Sequence, residues 1–140
     1  MTYAENVNYW KTGKSSPDTW LEKAKTEIKR VGGVVAGSVI VSDDLTGRAG
    51  FMLAFQLGDD QFKMVWPVLK TKTDNLKAAR IQAATALYHE VKAACVKLKF
   101  LGARSAFFAY LLLDDGRTAS EVGGNELAER LPQLLLSEGE

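Results

Sequence analysis

The chain has 140 residues and 15.3 kDa, with 46% hydrophobic and 25% charged residues. That is the size and mixture of one globular domain, 1–140, able to bury a core without a disulfide or a metal, and it excludes a disordered tail, a collagen-like chain and a membrane span. The formal net charge of +1 speaks against a nucleic-acid binder when taken as a total, but the charge is unevenly spread.

Residues 1–15 read as an irregular N-terminal arm carrying Tyr3, Tyr9 and Trp10, with Lys11 and Lys14 close behind. Ser16-Pro17-Asp18 is a helix start: Ser16 can cap, Pro17 suits the first helical position, and Asp18 complements the positive helix end. The predicted helix runs from Pro17 to Arg30 on an apolar stripe of Trp20, Leu21, Ala24, Ile28 and Val31, and Gly32-Gly33 stops it. The period then changes from helical to alternating. Val34–Val41, Gly50–Leu57 and Phe62–Val68 read as three strands, joined by turns at Asp43–Gly47 and Gly58–Asp60, which makes an antiparallel meander. On β-branched alternation, Val35, Val39 and Val41 are expected to oppose Val34, Ala36 and Ile40.

A second, longer helix is predicted from Thr73-Asp74 to Leu101, with Asp74 as its cap. Its main face carries Ile81, Ala84, Leu87, Tyr88, Val91, Cys95 and Leu98, while Ala86, Ala93 and Phe100 make the other side apolar too, so packing on two sides is expected. Ser105–Leu113 is apolar on both alternations and reads as a further, buried strand. Asp114-Asp115-Gly116 turns the chain, a short C-terminal helix is expected at Asn125–Leu131, and 132–140 reads as a frayed acidic tail. The fold class is α+β: a helix, a three-stranded antiparallel meander, a long helix, a further strand and a short C-terminal helix. Apolar residues on both faces of several strands point to a homo-oligomer.

One Cys and one His exclude an intrachain disulfide and make zinc improbable. Cys95, in an apolar stretch, reads as a buried free thiol suited to a reducing cytosol. The N-terminus is not a signal peptide and no apolar run reaches the roughly 18 residues of a membrane helix. A cytoplasmic location without membrane contact is expected.

Divided along the chain, the charge is polarised. Residues 1–62 sum to −1, residues 63–104 hold nine Lys or Arg against Asp74 and Glu90 for +7, and residues 105–140 sum to −5. The basic block is an electrostatic footprint for a phosphate backbone. Its candidate nucleic-acid-binding residues are Lys70, Lys72, Lys77, Arg80, Lys92, Lys99 and Arg104, with Tyr9 and Trp10 as base-stacking groups. Lys70-Thr71-Lys72-Thr73 before a helix offers backbone N–H groups to an anion. The alternative is a solvated helix neutralised by an acidic tail, with the arm packed on its own fold; the lysines scatter round the helical wheel.

No catalytic residue, metal or cofactor is assigned. His89 and Cys95, six residues apart on one helix, do not face each other, and no nucleophile elbow, P-loop or dinucleotide fingerprint is present. The Asp pairs 43–44, 59–60 and 114–115 read first as turn residues. If the long helix returned Asp114-Asp115 to Asp43-Asp44, four carboxylates could hold Mg²⁺ for a nuclease.

The helix–three strands–helix order over residues 17–101 resembles double-stranded RNA-binding domains and the β-β-β-α core of phage strand-annealing proteins of the RecT, Redβ and ERF types. That resemblance implies single-strand annealing by oligomers without catalytic residues. The run Phe107–Thr118 (FFAYLLLDDGRT) is similar to small phage and prophage proteins of unassigned function whose strand ends L-P-D-G-R-T, with Asp114 here in place of that Pro. It implies a phage or mobile-element context. The expected function is non-enzymatic, oligomeric binding of single-stranded DNA without base specificity. The alternatives are a protein–protein module, an assembly factor or an inhibitor of a host protein, using the Ala/Phe face of the long helix with the acidic tail, and thirdly a metal-dependent nuclease using the Asp pairs.

Overall fold

The computed structural model describes residues 2–43 and 48–124. Helix α1 spans Pro17–Arg30 and ends where the glycines dictate. Ser16 Oγ accepts from the Thr19 N–H at 3.3 Å. At the other end the Gly32 N–H donates to Lys29 O and the Gly33 N–H to Ile28 O, with Gly32 at φ +88°. That pairing satisfies the last carbonyls of the helix in a Schellman arrangement.

Strands β1 (Val34–Asp43), β2 (Arg48–Leu57) and β3 (Asp60–Val68) form an antiparallel sheet in the order β1-β2-β3. Gly58 and Asp59 make a two-residue hairpin, and Gly58 alone adopts a positive φ, the type II′ pattern. Phe51, Leu53, Phe55 and Leu57 of β2 and Phe62 and Met64 of β3 turn one face into the core. A bulge between Val35 and Gly37 corrects the expected β1 alternation. Val35 pairs with Phe55 on the core side, but beyond the extra residue Ile40 pairs with Phe51 on that side, while Val39 and Val41 turn outward. A one-residue bulge exchanges the faces of everything after it.

Helix α2 (Leu76–Leu101) lies against α1 and β3. Its cap is Asn75, not Asp74: the Asn75 side chain accepts from the Ala78 N–H at 3.1 Å, while Asp74 sits at φ +57° with its carbonyl bonded to Leu76. Ala83, Ala84, Leu87, Val91, Ala94 and Cys95 enter the core with Leu21, Ala24 and Ile28 of α1. Burial, with the Glu27 carboxylate nearby, pushes the Cys95 thiol up to about 11.

The expected strand at Ser105–Leu113 is not one. Gly102, at φ +86°, ends α2, and a single turn, α3 (Ala103–Ala106), and a 3-10 turn (Phe108–Tyr110) follow. Phe107 is fully buried against Phe55 and Phe62, with ring centroids 5.1 and 5.7 Å away. Phe108 beside it is 56% exposed. The segment's backbone joins the sheet through a bridge from Leu111 to Phe62 and a bond from the Leu112 N–H to Gln61 O. An apolar run of this length does not distinguish strand from helical turns.

A C-terminal helix begins at Ala119. The Thr118 hydroxyl accepts from the Glu121 N–H, and the Glu121 carboxylate accepts from the Thr118 N–H, a capping box. The helix expected at Asn125–Leu131, the tail 132–140 and the turn residues Asp44–Gly47 lie outside the described residues. Among the described residues no helix is long and apolar enough to cross a membrane.

Candidate nucleic-acid interface

The N-terminal arm is built onto the start of α2. Gln82, buried on that helix, donates through Nε2 to the carbonyls of Ala4 (2.7 Å), Val7 (3.1 Å) and Asn8 (3.0 Å). The Ala4 N–H donates to Lys70 O at 2.8 Å, and Ala4 is fully buried. Tyr9 stacks on His89 at 4.9 Å between centroids with 13° between planes. Thus His89 is an exposed surface residue holding the arm, and α2 packs on two sides over its first half.

This clasp gathers cations that are far apart in sequence. Lys11 of the arm and Lys77 of α2 line one cavity of about 190 Å³ with Asn75 and Ile81. Lys70 and Lys72 lie on the loop to which the arm is bonded, and Arg80 follows Lys77 by three residues, on the same side of the helix. None of Lys11, Lys70, Lys72, Lys77 and Arg80 is ion-paired with a described carboxylate. Lys72 Nζ lies 5.3 Å above the Tyr3 ring, and Lys11 Nζ 5.9 Å from the Trp10 ring. Lys11 carries no sequence signal beyond its place in a basic arm; only the fold brings it to Lys77.

The anion slot expected before α2 exists, and the chain fills it. The Glu5 carboxylate accepts from the N–H groups of Lys72 (2.9 Å) and Thr73 (3.1 Å) and from the Thr73 hydroxyl (2.9 Å). Burial pushes the Glu5 carboxyl up, but these hydrogen bonds together outweigh it and hold the group below its ordinary value.

The remaining candidates are elsewhere. Lys92 lies midway along α2, 6.0 Å from the Tyr88 ring. Lys99 is 22 residues beyond Lys77, about 33 Å along a helix. Arg104 grips Asp60 with two bonds, Nε at 3.0 Å and Nη2 at 2.9 Å. Its hydrogen bond holds the Asp60 carboxyl below the usual range. The basic candidates are therefore spread along α2: Lys70, Lys72, Lys77 and Arg80 at its start, Lys92 midway, and Lys99 and Arg104 at its far end.

The carboxylates do not meet as the nuclease alternative would require. Asp114 and Asp115 lie with Asp60 and Arg104 round one open cavity of about 530 Å³, at the end of the sheet that carries the Gly58-Asp59 turn. They are not at the β1–β2 end. Arg117 bonds Asp115 at 2.8 Å. Among the described residues no three His, Cys, Asp or Glu side chains are placed to hold a metal ion. Comparison with protein-family models, with curated proteins and with solved structures finds no match to this chain.

Proposed function

We propose that this protein binds nucleic acid without enzymatic chemistry, as a homo-oligomer, through the phosphate backbone of a single strand. The observation that carries this reading is the clasp of the arm on α2, which gathers Lys11, Lys70, Lys72, Lys77 and Arg80 at one end of the molecule with none of their side chains in an ion pair to a described carboxylate. Unpaired cations on a rigid frame release counterions when they meet phosphates, and that is the dominant sequence-independent term in such binding. Trp10 and Tyr3 beside the lysines supply faces for stacking. Tyr9 is committed to His89 on one side. The topological likeness to strand-annealing proteins agrees with this reading as an analogy.

The test is fluorescence anisotropy with an oligothymidine at several salt concentrations. Lys70→Glu and Lys77→Glu should each weaken binding by about tenfold or more and flatten the salt slope by about 0.7 for each phosphate left without its cation. Lys97→Glu, an equal charge change at the far end of α2, should leave affinity nearly unaltered. Absence of binding by the unaltered protein at low salt and micromolar concentration would overturn the proposal.

A second reading, a protein–protein module, draws on the far end of α2. There Phe100 is 83%, Leu101 60% and Val96 52% exposed. Large apolar side chains this open, close together on one helix end, mark contact surfaces.

A further inference from the structure

Strand β1 exposes apolar side chains on both of its faces. Val39 and Val41, paired with Met52 and Gly50, point away from the helices and are 48% and 50% exposed. Ile40, paired with Phe51, points to the helix side and is still 46% exposed. A partner laid on the outer face of the sheet would cover the valines and leave Ile40 in water. A partner on the helix side would do the reverse. A strand added at the edge reaches both faces at once.

Among the described residues that edge is open. There β1 pairs with β2 alone, so one side of its ten residues, about 33 Å of backbone, has no described partner strand. Native edges are blunted by Lys, by Pro or by a covering segment. From Val34 to Ser42 there is no charged residue and no Pro; the bulge at Gly37 is the one such device, and it leaves residues 37–43 regular. The opposite edge is managed: β3 carries Lys63 and Pro67, and Leu111 and Leu112 cover its start.

We infer that β1 pairs with β1 of a second copy, antiparallel about a two-fold axis near residues 38–41, making one six-stranded sheet. This rests on the homo-oligomer part of the function proposed above and names its surface. The occupant is the same chain because an antiparallel edge is complementary to itself: every free N–H on one side of the axis meets a free C=O on the other. The β-branched side chains then pair across the axis on both faces. A net charge of +1 opposes the approach of two copies only weakly. An edge of this length buries an area in the small class, below about 1,200 Å², the class of weak and reversible contacts.

Sedimentation equilibrium of the full chain across the micromolar range tests this. Monomer should convert to dimer with rising concentration. Ile40→Lys, at a half-exposed position, should raise the dissociation constant at least tenfold while circular dichroism stays that of the unaltered protein. Val39→Lys, on the opposite face of the same edge, should do the same. Val65→Lys, on the outer face of β3 and 62% exposed, should leave the equilibrium unchanged. A dimer weakened by Val65→Lys as much as by Ile40→Lys overturns edge pairing and leaves the oligomer standing. A monomer at every concentration overturns both.

Discussion

Glu5 does for the loop before α2 what a bound anion does at many helix starts. Three donors, two backbone N–H groups and one hydroxyl, converge on its carboxylate, and each is a group that an empty loop would leave to water. The signal was present in the sequence as Lys70-Thr71-Lys72-Thr73 before a capping residue. What could not be read was that the anion is the protein's own, 67 residues away. Because the Glu5 carboxyl is held below its ordinary value of 4.5, its anchoring is complete above that value and is lost as pH falls through the lower folded-state value. Amide exchange at Lys72 and Thr73 should therefore accelerate as pH falls below 4.5, beyond the intrinsic pH trend. In Glu5→Ala the two amides should be poorly protected throughout, with little pH-dependent change in protection. Equal protection in the two proteins at neutral pH would show that the carboxylate does not hold the loop.

Among the elements, those with local rules were legible and those without were not. Helix α1 has its bounds as expected because Ser16, Pro17, Gly32 and Gly33 act within one turn of where they stand. The two glycines act differently. Gly32 needs its positive φ and has open space around it; Gly33 has ordinary φ but no room. A Cβ there would lie 2.5 Å from Ile28 Cγ2 and 2.9 Å from Leu57 Cδ2, and both of those side chains are buried, so they have little space to yield. Gly33→Ala should cost about 1–3 kcal/mol as an overpacked joint, and Gly32→Ala about 1 kcal/mol or slightly more for left-handed backbone alone. Urea denaturation midpoints measure both. The Ser105–Leu113 segment, by contrast, has no local rule to choose between extended and helical backbone. Phe55 and Phe62 made the choice by leaving a site for Phe107 alone. The β1 bulge is similar: nothing in VVAGSVIV but the glycine marks it, and it reversed the faces of Val39 and Ile40.

At the scale of the molecule, the arm is the part whose order depends on everything else. It has little regular structure beyond one short turn, Ala4–Asn6, and two of its residues, Tyr9 and Lys11, hold left-handed backbone at φ +71° and +58°. Such strain persists only when surroundings impose it, and here the chain is held just before Tyr9 by the Gln82 bonds to Ala4, Val7 and Asn8 and at Tyr9 by its stack on His89. Gln82→Glu keeps the shape but sets a carboxylate against three carbonyls, a loss of about 2–4 kcal/mol of arm binding. The expected outcome is an arm cut early by limited proteolysis within residues 1–12, and weaker oligothymidine binding because Lys11 leaves Lys77. The α-helical and sheet signals should survive. An arm as resistant as the unaltered one would mean that Gln82 does not anchor it.

Composition, period and turn chemistry determined by themselves the α+β class, the meander and both main helices, because each depends on residues within a few positions of one another. The polarised charge was legible too. Which of those charges meet was decided only by tertiary structure: α2 is long enough to carry Lys77 and Lys99 to opposite ends, the sheet edge gives Arg104 to Asp60, and Gln82 fastens Lys11 beside Lys77. The reason is that Coulombic and hydrogen-bond partners are chosen by distance in space, and a linear pattern records distance only along the chain.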